Sequence, residues 1–516
     1  MIPGLTKNAV VAASAGTGKT ELLTSIYLAH CLGLHGSGAP ISPARIVATT
    51  FSRAAAREIR ERLERRFAGV AGADPVEHER RLGSGLLALA AERGLAKPEL
   101  QRRAARALDE LSDASIDTLH NLCARILREH GLELNIVPSF TILEEQRSLE
   151  ETEHTIAEVL GDALEGSGLH ALGAQQLLDA SGGLDRLRGW LIGLLSRLDD
   201  EGLDASELEL GDEGAAARGL LVTLQRVCRE LVTDPESARA PHARAVLDVL
   251  ASGDGPPNPD RLRDAFVALA AEKKGKNTPG SAALKALLEQ SAEKSNSDRA
   301  RALVRFIAEG PSLGERLRGV ALVLGDIQNR LRERHRAERS LGFGDLLRLT
   351  RDGLRDNPQV ARAAGSRIDL LLVDEFQDTS RVQCDLLLLL RERPEANTAR
   401  RPGALPRAAD LQSQGLVVVG DRKQSIYGFR GADVSVFAEL ASALAGAEAA
   451  RLLDLPASAA PSEPGPAVAE VSTLVDSYRS DRAVVAAVNL IAARDFVPEL
   501  EQSFEIRYAP AEALRV

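Results

Sequence analysis

The stretch Ala9 to Thr20, reading A-V-V-A-A-S-A-G-T-G-K-T, decides the fold class of this chain. Small apolar residues make a short strand candidate, two glycines follow, and Glu21 opens a helix-periodic segment. Gly16 and Gly18 let the backbone curl, so that the N–H groups of the loop through Ala13, Ser14, Ala15, Gly16, Thr17 and Gly18 join the helix N-terminus in an anion cradle. Lys19 then reaches the β- and γ-phosphates of a nucleotide, and the Thr20 hydroxyl ligates Mg²⁺. ATP and Mg²⁺ are therefore the expected ligands. Strand, loop and helix units of this kind build parallel sheets, and the expected class is α/β.

A partner element lies far along the chain. Ile368 to Val373 is an apolar run apart from Asp369, suited to a strand buried on both faces. It delivers Asp374 and Glu375 to its carboxyl end, where open α/β sheets bind ligands. Asp374 there suits Mg²⁺, and Glu375 suits the attacking water of phosphoryl transfer. Without the upstream loop, the same pair would read as solvated acids ahead of a helix near Ser380. A third apolar strand, Leu416 to Val419, runs into V-G-D-R-K-Q-S-I-Y-G-F-R-G-A, Val419 to Ala432. In it Gln424 can reach a γ-phosphate, Tyr427 and Phe429 present aromatic faces, and Arg430 adds a cation. A π-face accepts any base, with stacking worth roughly 1 to 3 kcal/mol, so the cluster suits single-stranded DNA held without reading sequence. Two isolated aromatics on a turn are more often core, but aromatics make up only 3% of this chain and these two stand beside Gln and Arg.

The segment Val373 to Thr379, V-D-E-F-Q-D-T, with Gln383 beyond it, resembles the second motif of UvrD/Rep-type superfamily 1 helicases, and Val419 to Ala432 resembles their third. Other matches stand in family order. Thr49 to Ile59, T-T-F-S-R-A-A-A-R-E-I, is similar to the family's T-F-T-N-K-A-A-x-E-M element, which implies DNA-backbone contacts from Thr50, Phe51, Ser52 and Arg53; Ala54 replaces the usual Lys and removes a charge. Asp117 to His120 resembles the T-x-H element, and Phe343 to Leu347 the D-F-x-D-L-L segment. Ser477 to Ser480, S-Y-R-S, resembles N-Y-R-S, which implies Tyr478 stacking on adenine and Arg479 acting as an arginine finger. The resemblance covers Val10 to Asn135 and Phe343 to Asn489. The opening A-S-A-G-T-G-K-T and a long helical insertion favour the RecB and AddA branch. It implies a RecA-like lobe of an ATP-dependent 3′ to 5′ DNA helicase or translocase, acting in recombination and double-strand break repair.

Composition sets looser bounds. With 516 residues the chain is long enough for two or three compact units. Its 44% hydrophobic and 27% charged residues are ordinary for a globular protein. No apolar run approaches a membrane span and no signal-peptide pattern opens the chain, so a cytoplasmic protein without membrane contact is expected. Cys31, Cys123, Cys228 and Cys384 lie far apart and suggest neither a disulfide framework nor a metal site. The net charge of -10 argues mildly against nucleic acid. A motor needs only a local basic groove, and Arg53, Arg57, Arg60 and Arg62 cluster where one would lie.

Apolar spacing of three and four predicts helices over Ile156 to Leu164, Leu184 to Leu198, Ala216 to Leu231, Ala243 to Leu250 and Val320 to Leu331. The expected organisation is a first part of the sheet lobe at 1–137 with a helical insertion at 74–112, an all-helical insertion at 138–340, and a second part of the lobe at 341–516. Arg393 to Ser413 and Pro456 to Val468 read as surface loops. The residues after Asn489 are too few for the family's second motor lobe. That leaves three readings open: a RecB/AddA-type motor half, broken by a fragmentary gene or completed by a separate polypeptide, with a RecC/AddB-like subunit on single-stranded or 3′-tailed DNA; a stand-alone module that binds ATP and DNA without unwinding; or a P-loop ATPase with a protein substrate.

Overall fold

The computed structural model describes residues 2–208, 213–234, 237–251, 258–272, 278–291, 293–425, 433–461, 465–495 and 514–515. Its strands, in chain order, are β1 (Asn8–Ala13), β2 (Ile46–Thr50), β3 (Ser115–Thr118), β4 (Thr141–Ile142), β5 (Ser340–Leu341), β6 (Leu370–Val373), β7 (Leu416–Gly420) and β8 (Ala469–Leu474). Six of them form one parallel sheet in the order β3-β2-β6-β7-β1-β8. This is the α/β architecture of a RecA-like lobe, and all six strands deliver their carboxyl ends to one edge.

Side-chain alternation along the strands divides the apolar residues into two cores. Val10, Ala12, Val47, Leu371, Val373, Leu416 and Val418 face one layer, where the helices Leu119–Glu129, Phe343–Asp356, Arg381–Arg391 and Val434–Ala445 bury their apolar stripes. Ala9, Val11, Ala13, Ile46, Ala48, Leu370, Leu372, Val417 and Val419 face the other, against Lys19–Cys31, Arg53–Ala71 and Lys97–Asp109. Burial on both faces is why β1, β2, β6 and β7 read as apolar runs rather than alternating ones. Asp369 precedes β6 rather than interrupting it. Its carboxylate pairs with Arg45 (Nη2 to Oδ1 2.6 Å) at the sheet's amino edge.

Between β2 and β3 the helices Pro75–Leu82, Ser84–Glu92 and Lys97–Asp109 contribute Leu82, Leu86, Ala90, Leu100, Ala104 and Ala107 to the second core. β4 and β5 pair side by side (Thr141↔Ser340, Ile142↔Leu341), bringing together the points where a long helical excursion leaves and returns. One compact unit comprises residues 1–149, 194–203 and 333–516, and a second comprises 150–193 and 204–332. Helices Glu145–Glu165, Leu184–Glu201, Glu213–Thr233, Ala240–Ala251 and Asn296–Glu338 contain the five segments with helical spacing. The second unit has its own core, with Leu224, Val227, Val246, Phe266, Leu287 and Val304 among its members. Within it Gly173 and Gly319 let two helices meet backbone to backbone, where a Cβ on either residue would collide with the other's main chain.

The segment Arg393 to Ser413 lies largely at the surface, as expected, but it is not a plain loop. It holds a short helix, Pro394–Ala399, and Arg400 forms a buried ion pair with Glu392 (3.0 Å) while donating to the carbonyls of Leu354, Arg355 and Ala404. A guanidinium with its acceptors in place can be interior, which composition alone does not reveal.

Candidate functional site

The turn after β1 is shaped by its own hydrogen bonds. Ser14 O accepts from both the N–H and the hydroxyl of Thr17 (3.3 and 2.7 Å), and Gly16 and Gly18 take φ of 77° and 89°. Gly18 caps Lys19–Cys31 and places Thr20 in the first turn of that helix. β8 pairs with β1 up to Ala13↔Leu474, and the chain beyond β8 therefore reaches the same edge. There Tyr478 N–H donates to Gly16 O (2.9 Å). A Cβ on Gly16 would stand 2.6 Å from Arg479 Cβ, and the space beside Gly18 borders the Tyr478 ring. Tyr478 is 82% exposed, an aromatic face open to a ligand.

β6 supplies the acids. Asp374 N–H donates to Thr49 O (2.9 Å), and Glu375 follows in the left-handed region at φ 51°, ψ 44°. That conformation costs a non-glycine residue about 1 kcal/mol or more and is held here by what surrounds it. Glu375 Oε2 accepts from Lys19 Nζ (2.7 Å) and from Gln377 Nε2 (2.8 Å). Burial and the Glu375 charge push the Asp374 carboxyl up to about 6 against the pull of Lys19, and Asp378 is raised to about 6 for like reasons. β7 ends beside them. Asp421 N–H donates to Gln377 Oε1 (2.9 Å), and the Asp421 carboxylate accepts from Lys423 Nζ (2.9 Å) and Gln424 Nε2 (2.6 Å). Burial raises Asp421, but these donors outweigh it and hold the group below the usual carboxylate range. The Gln424 amide thus rests on Asp421.

On the other side of the acids a cavity of about 770 Å³ opens at the ends of β2, β3 and β6. Thr50, Phe51, Arg53 and His120 line it together with Asp374 and Glu375. Ser52 instead caps the helix Arg53–Ala71 by accepting from Ala55 N–H (3.2 Å). His120 stands edge-on to Phe343 at 5.3 Å, and burial lowers its imidazole to about 4, so it is neutral at pH 7 and offers a hydrogen bond rather than a charge. The walls also carry Glu144, Asp200 and Asp378. Asp200 is pushed up to about 7 by burial and by its neighbours Asp199 and Glu201.

The UvrD/REP helicase N-terminal domain family matches residues 2–445. The chain belongs to the UvrD/REP helicase family. It is 27% identical to an ATP-dependent helicase/nuclease protein of Desulforudis audaxviator, over 95% of this chain and 39% of that protein. The exonuclease/helicase protein RexA of Streptococcus pneumoniae and an ATP-dependent helicase/nuclease protein of Staphylococcus aureus are each 25% identical over 84% of this chain and 35% of their own length. The chain therefore spans under two fifths of the relatives it matches, and these relatives bear out the resemblance to the RecB and AddA branch.

Within this UvrD/REP helicase chain, the sheet brings Lys19, Glu375, Asp374, Tyr478 and Arg479 to one edge and sets the Asp421–Gln424 turn beside the acids. Tyr427, Phe429 and Arg430 lie outside the described residues. The basic cluster is smaller than the sequence suggests. Arg60 donates to the carbonyls of Leu111 (2.8 Å) and Ala114 (3.0 Å), and Arg62 pairs with Glu58 (2.7 Å), which leaves Arg53 at the cavity and Arg57 exposed on the same helix, outside the cavity lining. Sequence reasoning missed Gln377 and Asp200. The first sits inside V-D-E-F-Q-D-T and was open to notice; the second lies on a helical segment whose polar face gives no sign of what it meets. Among the described residues no helix is long and apolar enough to cross a membrane, and no group of three or more His, Cys, Asp or Glu side chains could hold a metal by itself.

Proposed function

We propose that this chain forms the ATP-binding motor lobe of a RecB/AddA-type DNA helicase, which couples ATP hydrolysis to 3′ to 5′ movement on single-stranded DNA in recombination and double-strand break repair. The observation that carries this reading is the meeting, at one sheet edge, of Lys19 with Glu375 and of Tyr478 and Arg479 with the two loop glycines. Ala13 to Gly18 bind the phosphates through their amides. Lys19 neutralises charge at the β- and γ-positions, Tyr478 stacks on adenine, and Arg479 stabilises charge at the transferred phosphoryl. Glu375 orients the attacking water, and Gln424 senses the γ-phosphate.

The oxygen donors suit Mg²⁺. The Thr20 hydroxyl and the half-buried Asp374 carboxylate are a hard-ligand pair of the size Mg²⁺ shares with nucleotide phosphates, and the raised proton affinity of Asp374 marks a site that gains from a cation. Bound Mg²⁺ supplies charge neutralisation on the phosphate oxygens.

DNA belongs at the cavity of Thr50, Phe51, Arg53 and His120, with Ser52 holding the helix that carries Arg53. Its carboxylates repel phosphates, so a strand there keeps its backbone toward Arg53 and turns bases or sugars inward. Tyr427, Phe429 and Arg430 complete the grip in this reading. In this reading a second motor lobe and a RecC/AddB-like subunit work with this lobe, the DNA is single-stranded or 3′-tailed, and the protein works in the cytoplasm. Titration of a fluorescent oligonucleotide tests the DNA assignment. Binding should weaken as salt rises and as Arg53 or Phe51 is replaced by Ala, whereas affinity insensitive to all three changes would remove DNA from the account.

A further inference from the structure

We propose that Gln377 is a positioning residue for ATP hydrolysis, its amide keeping the Glu375 carboxylate aimed once Lys19 engages phosphate; this rests on the ATPase reading above. Glu375 Oε2 accepts two hydrogen bonds, from Lys19 Nζ at 2.7 Å and from Gln377 Nε2 at 2.8 Å. The first donor has two tasks. A polyphosphate on the loop carries more negative charge than one carboxylate and draws the ammonium toward itself. Gln377 is neutral and has no such competing attraction. The carboxylate it holds is launched from a left-handed backbone position, so the amide fixes a side chain whose direction is already unusual.

The amide is itself held in one orientation. Gln377 is 2% exposed, its Nε2 faces Glu375 and, at 3.3 Å, Asp378 Oδ2, and its Oε1 accepts from Asp421 N–H at 2.9 Å. Flipping it would turn a carbonyl oxygen onto two carboxylates and an NH₂ group onto a buried N–H. Gly420 keeps the space open, because a Cβ there would stand 2.7 Å from Gln377 Oε1. The Gln377 carbonyl also accepts from the Ser425 hydroxyl (3.2 Å). β6 and β7 are adjacent and parallel (Val373↔Val418), which brings the turn after each strand within reach of this one side chain. Gln377 therefore ties the direction of Glu375 to the position of the Asp421–Gln424 turn.

The test uses the full chain carrying Gln377→Glu, which keeps the volume and the acceptor for Asp421 N–H but loses the donor to Glu375. Gly420→Ala is the second variant, crowding the amide without removing it. Affinity for Mg-ATP is read by fluorescent-nucleotide titration, and hydrolysis by single turnover of radiolabelled ATP with the chain in excess. The expected result for both variants is affinity within about threefold of wild type and hydrolysis slower by about ten- to a hundredfold, the range for a slightly misplaced reacting group. Hydrolysis within twofold of wild type, or rate and affinity falling together, would overturn the positioning role. Lys19→Ala run in parallel separates the two levels. If it binds Mg-ATP like wild type, or if wild type shows no turnover, the ATPase reading itself fails and this inference with it; if Lys19→Ala abolishes binding while the Gln377 variant hydrolyses normally, the positioning role alone is lost.

Discussion

Asp374 is where the site works against the fold. Its carboxyl titrates near 6 instead of 3.8, chiefly from burial and then from the Glu375 charge. A raised pKa means that the folded chain binds this proton more tightly than the unfolded chain. The stability it contributes is present below about pH 3.8 and is lost as the pH rises through about 6. Asp374→Asn should therefore raise thermal stability at pH 8 by the equivalent of about 1 to 3 kcal/mol, with the gain shrinking toward pH 4, while Mg-ATP affinity falls. Melting curves across pH 4 to 8 check this, and a variant that melts below wild type at pH 8 contradicts it. Glu375→Gln should behave differently. In its proposed role the carboxylate acts on water rather than on ground-state phosphate contacts, so binding should survive within a few fold while hydrolysis drops by about a hundredfold or more. Rapid quench and nucleotide titration on the same preparation separate the two effects. At this scale the positions of Lys19, Thr20, Asp374 and Glu375 were legible because each is set locally, a side chain at the end of a strand or the start of a helix. Asp200 was not, since its place in the cavity wall depends on packing between segments far apart in sequence.

Among the elements, the starts of β6 and β7 depend on one buried guanidinium. Arg391 is 1% exposed and donates to Ile368 O (2.6 Å), Gln412 Oε1 (2.9 Å) and Gln414 O (2.7 Å), thereby joining the residues that lead into both strands. Its neighbour Gly415 takes φ 92°, with Asp369 O and the Arg391 guanidinium where a Cβ would go. Arg391→Met would leave two carbonyls without their donor in the interior. The expected destabilisation is roughly 2 to 6 kcal/mol, read by chemical denaturation, and a loss below about 1 kcal/mol would show that water or a rearranged side chain takes its place. Helices and central strands were legible from period and from apolar runs. Arg391 and Arg400 were not, because an arginine's burial is decided by carbonyls that tertiary structure brings to it. The same cause misled the reading of Arg60, which the carbonyls of Leu111 and Ala114 hold, whereas Arg62 pairs with Glu58 one turn back on its own exposed helix face.

For the whole molecule, two separate compact units predict separable stability. Phe266 is fully buried in the second unit's core, and Phe266→Ala should lower one unfolding step by about 3 to 5 kcal/mol while leaving Mg-ATP affinity unchanged. Calorimetry with nucleotide titration checks both parts. The net charge of -10 and the acidic cavity wall predict a shallow salt dependence for single-stranded DNA, with one phosphate contact at Arg53 contributing about 0.7 to the logarithmic slope, which Arg53→Ala should remove. A central helical excursion was legible from its spacing, whereas its partition was not: residues 194–203 pack with the sheet unit although the chain on both sides belongs to the other.

The central claim is that the loop after β1 and the acids after β6 make one Mg-ATP site, and titration of a fluorescent ATP analogue with Mg²⁺ against wild type and Lys19→Ala tests it most directly. Saturable binding by the wild type, lost on removing Lys19 and weakened when Mg²⁺ is chelated, is the predicted result. Equal affinity in the two proteins would contradict it.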